Sequence, residues 1–209
     1  MMKCTSSPIG GTRQTGFTLV EIAIVLVIIG LILGGVLKGQ VLIDNAKYKN
    51  FVKQIESYRA AVYTFQDTYR ALPGDIAVIS ALDAAATAGD GDGDIEGAEC
   101  ASDGEETCLV WSHLRYAGII AGDPSITTTK APPTHTYGGQ VSAIGTGSWA
   151  NGKTEIKILT KGIPGDVAQR YDNEFDDGDA TSGSVARYEP GNTVTTYDLT
   201  ASHDVYISL

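Results

Sequence analysis

Residues 17–37 read FTLVEIAIVLVIIGLILGGVL, twenty-one residues with one charge, Glu21. A helix of about 20 apolar residues matches the hydrocarbon thickness of a bilayer. The run exceeds the core of a secretory signal peptide, and no Ala-x-Ala cleavage site closes it. It is preceded by a small, polar, basic leader over residues 1–16, which holds Lys3 and Arg13, no acid, and ends in Gly16. The chain is therefore expected to have a transmembrane or filament-core helix over 17–40. A carboxylate within such a span is costly unless it is paired or kept wet, so Glu21 is a candidate functional residue. The α-amine created by a cut before Phe17 would be its nearest positive partner.

Gly16-Phe17-Thr18-Leu19-Val20-Glu21 resembles the signal of type IV prepilins and type II secretion pseudopilins. The resemblance covers about the first 40 residues. It implies that a prepilin peptidase cuts after Gly16 and methylates the new N-terminus at Phe17. It also implies that Glu21 sets the register of a neighbouring subunit by meeting its Phe17 amine. Where many members of that family carry a helix-loosening proline, this chain has Lys38. The span holds Gly30, Gly34, Gly35 and Gly39 instead, two small-xxx-small pairs that would let helices approach closely.

Beyond the apolar run, Tyr48, Phe51, Val52, Ile55, Tyr58, Val62, Phe65 and Tyr69 recur at helical spacing, with Lys49, Lys53, Glu56, Gln66 and Asp67 between them. An amphipathic helix over 41–72 is expected, stopped by Leu72-Pro73-Gly74-Asp75, because proline disfavours helix in the residue before it. With the membrane half, one helix from about Phe17 to Arg70 would span roughly 80 Å.

Residues 73–209 are expected to form a globular domain. Ala-rich residues 76–88 suggest a short helix, residues 110–120 another, and residues 89–108 an acidic loop. Val141–Ala143, Thr154–Leu159, Tyr188, Val194–Leu199 and Val205–Leu209 read as short strands of an antiparallel meander. The fold class is α+β and pilin-like, a long N-terminal helix packed on a C-terminal antiparallel sheet. The tail IPGDVAQRYDNEFDDGDATSGSVARY resembles a segment of larger pilin-like proteins and reads as a short helix ending in an Asp/Gly turn.

Cys4 lies in the leader, while Cys100 and Cys108 lie in the acidic region and suit a disulfide in an oxidising compartment. Asp90, Asp92, Asp94, Glu96 and Glu99 alternate with glycine and offer oxygens for calcium on a flexible loop. The match to an EF-hand loop is incomplete, since Ile95 and Ala101 stand where a turn glycine and a bidentate acid belong. Some relatives in the resembled family hold calcium in a loop of their soluble domain. A second acidic group, Asp172, Glu174, Asp176, Asp177 and Asp179, reads as turn capping.

A net charge of −10, which becomes −12 once Lys3 and Arg13 leave with the leader, argues against nucleic-acid binding. His113, His135 and His203 are far apart, and no nucleophile elbow or phosphate-cradling lysine loop occurs. The expected protein is no enzyme and requires no cofactor. It is a structural subunit of a type IV pilus-like filament, with pilin subunits, prepilin peptidase, an inner-membrane assembly platform and the membrane as partners. Its precursor belongs in the bacterial inner membrane, its mature form in a periplasmic or surface filament. The alternatives are a type II secretion pseudopilin and a membrane-anchored periplasmic domain that binds calcium or another ligand and never polymerises. A mature chain of 193 residues (209 − 16) leans toward the pilin reading.

Overall fold

The computed structural model describes residues 16–97, 99–148, 154–188 and 196–209. The chain divides into two compact units, Met1–Asn45 and Ala46–Leu209. Helix α1, Leu19–Tyr69, runs through both.

In the first unit every described residue from Gly16 to Lys38 is exposed, including Leu19, Leu26, Leu31 and Leu37. A helix apolar on all sides has no solvated face, so this surface requires lipid or other protein. At Gly30, Gly34, Gly35 and Gly39 an added Cβ would meet nothing within 4 Å. Among the described residues nothing therefore packs against these small residues.

In the second unit the amphipathic half of α1 buries Tyr48, Phe51, Ile55, Ala61, Val62 and Phe65. These are the apolar positions of the 3–4 spacing, and they face one core with Trp111, Ile144, Ile158, Val205 and Ile207. The rings meet edge to face: Tyr58 on Trp111 at 5.2 Å and Phe51 on Tyr171 at 5.7 Å. Each large apolar side chain so buried contributes roughly 1.5–3 kcal/mol. The helix ends where Arg70 turns left-handed (φ 56°), ahead of Pro73.

The sheet is antiparallel throughout, built from β1 (Val141–Ser148), β2 (Thr154–Pro164), β3 (Val185–Tyr188) and β4 (Ser202–Ser208) in the order β1-β2-β4-β3. Ile144 pairs Ile158, and Ile158 pairs Ile207, so one face feeds the core. A simple meander does not form. Helix α3 (Gly165–Phe175) carries the chain away from β2, and β4 returns between β2 and β3. Physically, β4 suits a central place, because His203, Val205, Tyr206 and Ile207 are all buried. Two side chains of α3 hold α1: the Arg170 guanidinium lies 3.8 Å over the Tyr48 ring, and Glu174 accepts the Tyr48 hydroxyl.

Three local expectations are corrected. Residues 76–88 form only a 3₁₀ turn at Ile79–Ala81, because Gly89 donates back to the Ile76 carbonyl at 3.1 Å. A helix would hold those ends about 20 Å apart. Helix α2 spans Glu106–Tyr116 rather than 110–120. It begins inside the acidic stretch, where Glu106 suits the positive end of the helix dipole, and stops at Ala117-Gly118. Val194 and Thr195 lie outside the described residues. The following Tyr197–Leu199 are not a strand: Tyr197 points its hydroxyl to Asp172, and Asp198 caps the Thr200 amide.

Candidate processing segment and acidic loop

Gly16, Phe17 and Thr18 are non-helical and exposed, and α1 begins at Leu19. Thr18 donates both its amide (2.8 Å) and its hydroxyl (2.8 Å) to Glu21 Oε2, while the Glu21 amide donates to the Thr18 hydroxyl at 3.3 Å. This is a capping box, the Thr-x-x-Glu arrangement in which each side chain satisfies the other's orphan amide. Glu21 therefore has a role inside its own chain that its reading as a lone membrane carboxylate missed, and the T-x-x-E spacing was the signal. Among the described residues no hydrogen bond reaches Glu21 Oε1. The candidate cleavage bond lies in exposed, non-helical chain directly ahead of a fixed helix start.

The acidic loop departs from its sequence reading. Three carboxylates come together, Asp75, Asp90 and Asp92, each with an oxygen within 4.8 Å of the others. Asp75 follows the Leu72-Pro73-Gly74 turn and was not among the expected ligands. The turn and loop touch because Gly89 lacks a side chain: a Cβ there would come within 2.2 Å of the Gly74 carbonyl oxygen. Glu106, at the start of α2, organises the loop from inside by accepting the amides of Asp90 (3.0 Å) and Glu96 (3.1 Å). Within the loop Asp90 Oδ1 accepts the Asp92 amide, and Asp92 Oδ1 accepts the Asp94 amide.

Asp94 and Glu96 stay outside this cluster, and Glu99 forms an ion pair with Lys161. Ile95 draws the chain away. It is fully buried, accepts the Thr146 amide of β1 at 3.0 Å, and donates its own amide to the Thr146 hydroxyl. The negative charges of Asp90, Asp92 and Glu106 hold the Glu96 carboxyl above its usual range. Cys100 and Cys108 are joined in a disulfide that closes the loop onto the first turn of α2.

In the second acidic group Asp172, Asp176 and Asp177 also come within 4.8 Å of one another, and their oxygens accept backbone amides and hydroxyls. Asp172 is buried, which raises its pKa, and accepts the Gly178 amide (2.9 Å) and the Tyr197 hydroxyl (2.8 Å). Asp176 Oδ2 accepts the amides of Ser184 (2.6 Å) and Val185 (2.8 Å). Asp177 accepts the Asp179 amide and the Ser182 hydroxyl, both at 2.8 Å. His113, His135 and His203 each bind backbone carbonyls at separate places in the fold.

Comparison with known proteins bears on the N-terminal segment alone. A family model described as the prokaryotic N-terminal methylation motif matches residues 11–37. No curated protein and no solved structure matches the chain. The chain thus carries, at residues 11–37, the N-terminal methylation motif that signals type IV pilins and pseudopilins, leading into a long apolar helix.

Proposed function

We propose that the chain is a precursor subunit of a type IV pilus-like filament, cut after Gly16, methylated at Phe17 and polymerised through α1. The observation that carries this reading is the methylation motif joined to a helix whose apolar residues from Phe17 to Leu37 are exposed all round. Lipid covers that surface in the precursor and neighbouring helices cover it in the filament. Glu21 Oε2 caps its own helix, and Oε1 is left for the Phe17 amine of an adjacent subunit, each charge offsetting the other's burial. Gly30, Gly34, Gly35 and Gly39 let those helices approach. The domain after Ala46 is structural in this reading, and its caps and buried histidines serve the fold.

The test is an intact mass of the protein from membranes of a host with prepilin peptidase, joined to a filament-incorporation assay of Glu21→Ala. The expected mature chain starts at Phe17 and carries one extra methyl, and the variant stays in the membrane without entering filaments. A chain that keeps residues 1–16, or a variant that assembles normally, would leave an anchored periplasmic domain as the better reading. Shear release from the cell surface, against retention in the periplasm, separates a pilus subunit from a secretion pseudopilin.

A further inference from the structure

The Asp75 carboxylate is buried and lacks a full set of partners among the described residues. Its residue is 3 % exposed, and among the described residues Oδ1 has no hydrogen-bond partner, while Oδ2 accepts the Gly93 amide at 3.2 Å. Among the described residues no lysine, arginine or histidine forms an ion pair with it. A buried charged oxygen without a partner is destabilising by several kcal/mol unless a cation meets it. Two further carboxylates gather at the same point. One oxygen from each of Asp75, Asp90 and Asp92 lies within 4.8 Å of the other two. Repulsion among three carboxylates opposes the loop's own geometry, yet the loop is held there by the part-buried bonds its Asp90 and Glu96 amides donate to Glu106 and by the tight approach at Gly89.

We propose that Asp75, Asp90 and Asp92 form a calcium site. All three donors are hard carboxylate oxygens, the set that calcium prefers. Among the described residues no hydrogen bond reaches Oδ2 of Asp90 or Asp92, so each keeps an oxygen for metal while its Oδ1 shapes the loop. Asp75, Gly91 and Gly93 also line an open cleft of about 480 Å³, which gives an ion an entry path and room for the water ligands that complete a coordination number of six to eight. The oxygens come from two segments, the turn directly after α1 and the 90–92 loop. An ion there ties the loop to the end of the helix, so binding reads out as stability of the whole domain.

The site lies within one compact unit, and its test reads metal binding rather than assembly, so it stands apart from the filament reading. The full-length protein in detergent, stripped with chelator, is titrated with calcium chloride and in parallel with magnesium chloride, following heat and thermal unfolding. Expected are saturable heat with calcium, weaker heat with magnesium, and a Tm rise of about 5–10 °C at a hundredfold excess over the dissociation constant, reversed by chelator. Asp92→Asn, at an exposed position that leaves the core intact, weakens calcium binding at least tenfold. Asp75→Asn abolishes it, and its native Tm in chelator reports that it has folded. Absence of heat and of a Tm shift with calcium would overturn the proposal. So would an Asp92→Asn protein that binds as the parent does, or equal affinity for magnesium.

Discussion

His113 accepts the amide hydrogen of Gly74 through Nδ1 at 2.8 Å, across 39 residues of sequence. Since Nδ1 is an acceptor, the proton of the neutral ring is on Nε2, which donates to the Thr87 carbonyl at 2.7 Å. One imidazole on α2 thus fixes both the turn that ends α1 and the loop that follows it. The ring is fully buried and stacks near Phe65. Replacement by alanine leaves two backbone groups unsatisfied and opens a cavity. His113→Ala is expected to cost about 3 kcal/mol, read as a lower urea midpoint with an unchanged m value.

His135 repeats the pattern. Its Nδ1 accepts the Tyr137 amide at 3.2 Å, its Nε2 donates to the Lys161 carbonyl at 2.7 Å, and its ring meets Phe51 at 5.6 Å. Burial lowers the pKa of both histidines below the ordinary 6.5. The sign follows from proton counting: between the folded and unfolded pKa values the unfolded chain binds more protons, so stability rises with pH there. The contribution is fully present above about pH 6.5 and is lost as pH falls below it. Urea unfolding from pH 7.5 down to pH 5.5 checks this, and the slope is expected to shrink in His135→Gln.

How much of this was legible in the sequence depended on the length scale of the signal. The apolar run was readable from its length and composition, and the Tyr48–Tyr69 stripe because helical periodicity repeats along one element; all eight stripe positions are buried or packed against the core. Strand existence was readable for β1, β2 and β4, and at Tyr188 for β3, whereas strand order was not, because the position of β4 depends on where α3 carries the chain. The disulfide partners were readable by elimination once Cys4 was assigned to the leader. The acidic site was only half readable. Asp90 and Asp92 lie in an obvious motif, but Asp75 enters through a long-range contact at Gly89 that no local pattern encodes.

Reduction of the Cys100–Cys108 bridge frees a loop of nine residues that runs from the acidic segment into α2. Loop-closure entropy for so short a ring amounts to about 2–3 kcal/mol. Treatment with a thiol reductant, or the Cys100→Ser/Cys108→Ser pair, is expected to lower Tm by roughly 5–10 °C in a domain of this size. Calorimetry of the oxidised and reduced protein in parallel checks it, and an unchanged Tm would show that the Glu105 carboxylate, which accepts the Ala101 amide at 3.0 Å, holds the loop without the bridge.

In the filament proposed above, Glu21 would serve as helix cap and as partner of a neighbour's amine, two roles that one substitution at Thr18 can separate. Glu21→Ala removes both the cap and any charge offered to a neighbour's amine, so a loss of assembly in that variant would not tell them apart. Thr18→Ala removes the hydroxyl that donates to Glu21 Oε2 and accepts the Glu21 amide, but leaves the Thr18 amide and the carboxylate in place. If the capping box matters chiefly for starting α1, Thr18→Ala frays the first turn and slows the cut after Gly16 by no more than a few-fold, because that bond already lies in non-helical chain. Filament yield then stays near the parent's while Glu21→Ala yields none. The measurement is a pulse-chase of precursor and mature chain followed by recovery of sheared filaments. Equal loss of filaments in the two variants would place the requirement in the capping box, and not in a charge passed between subunits.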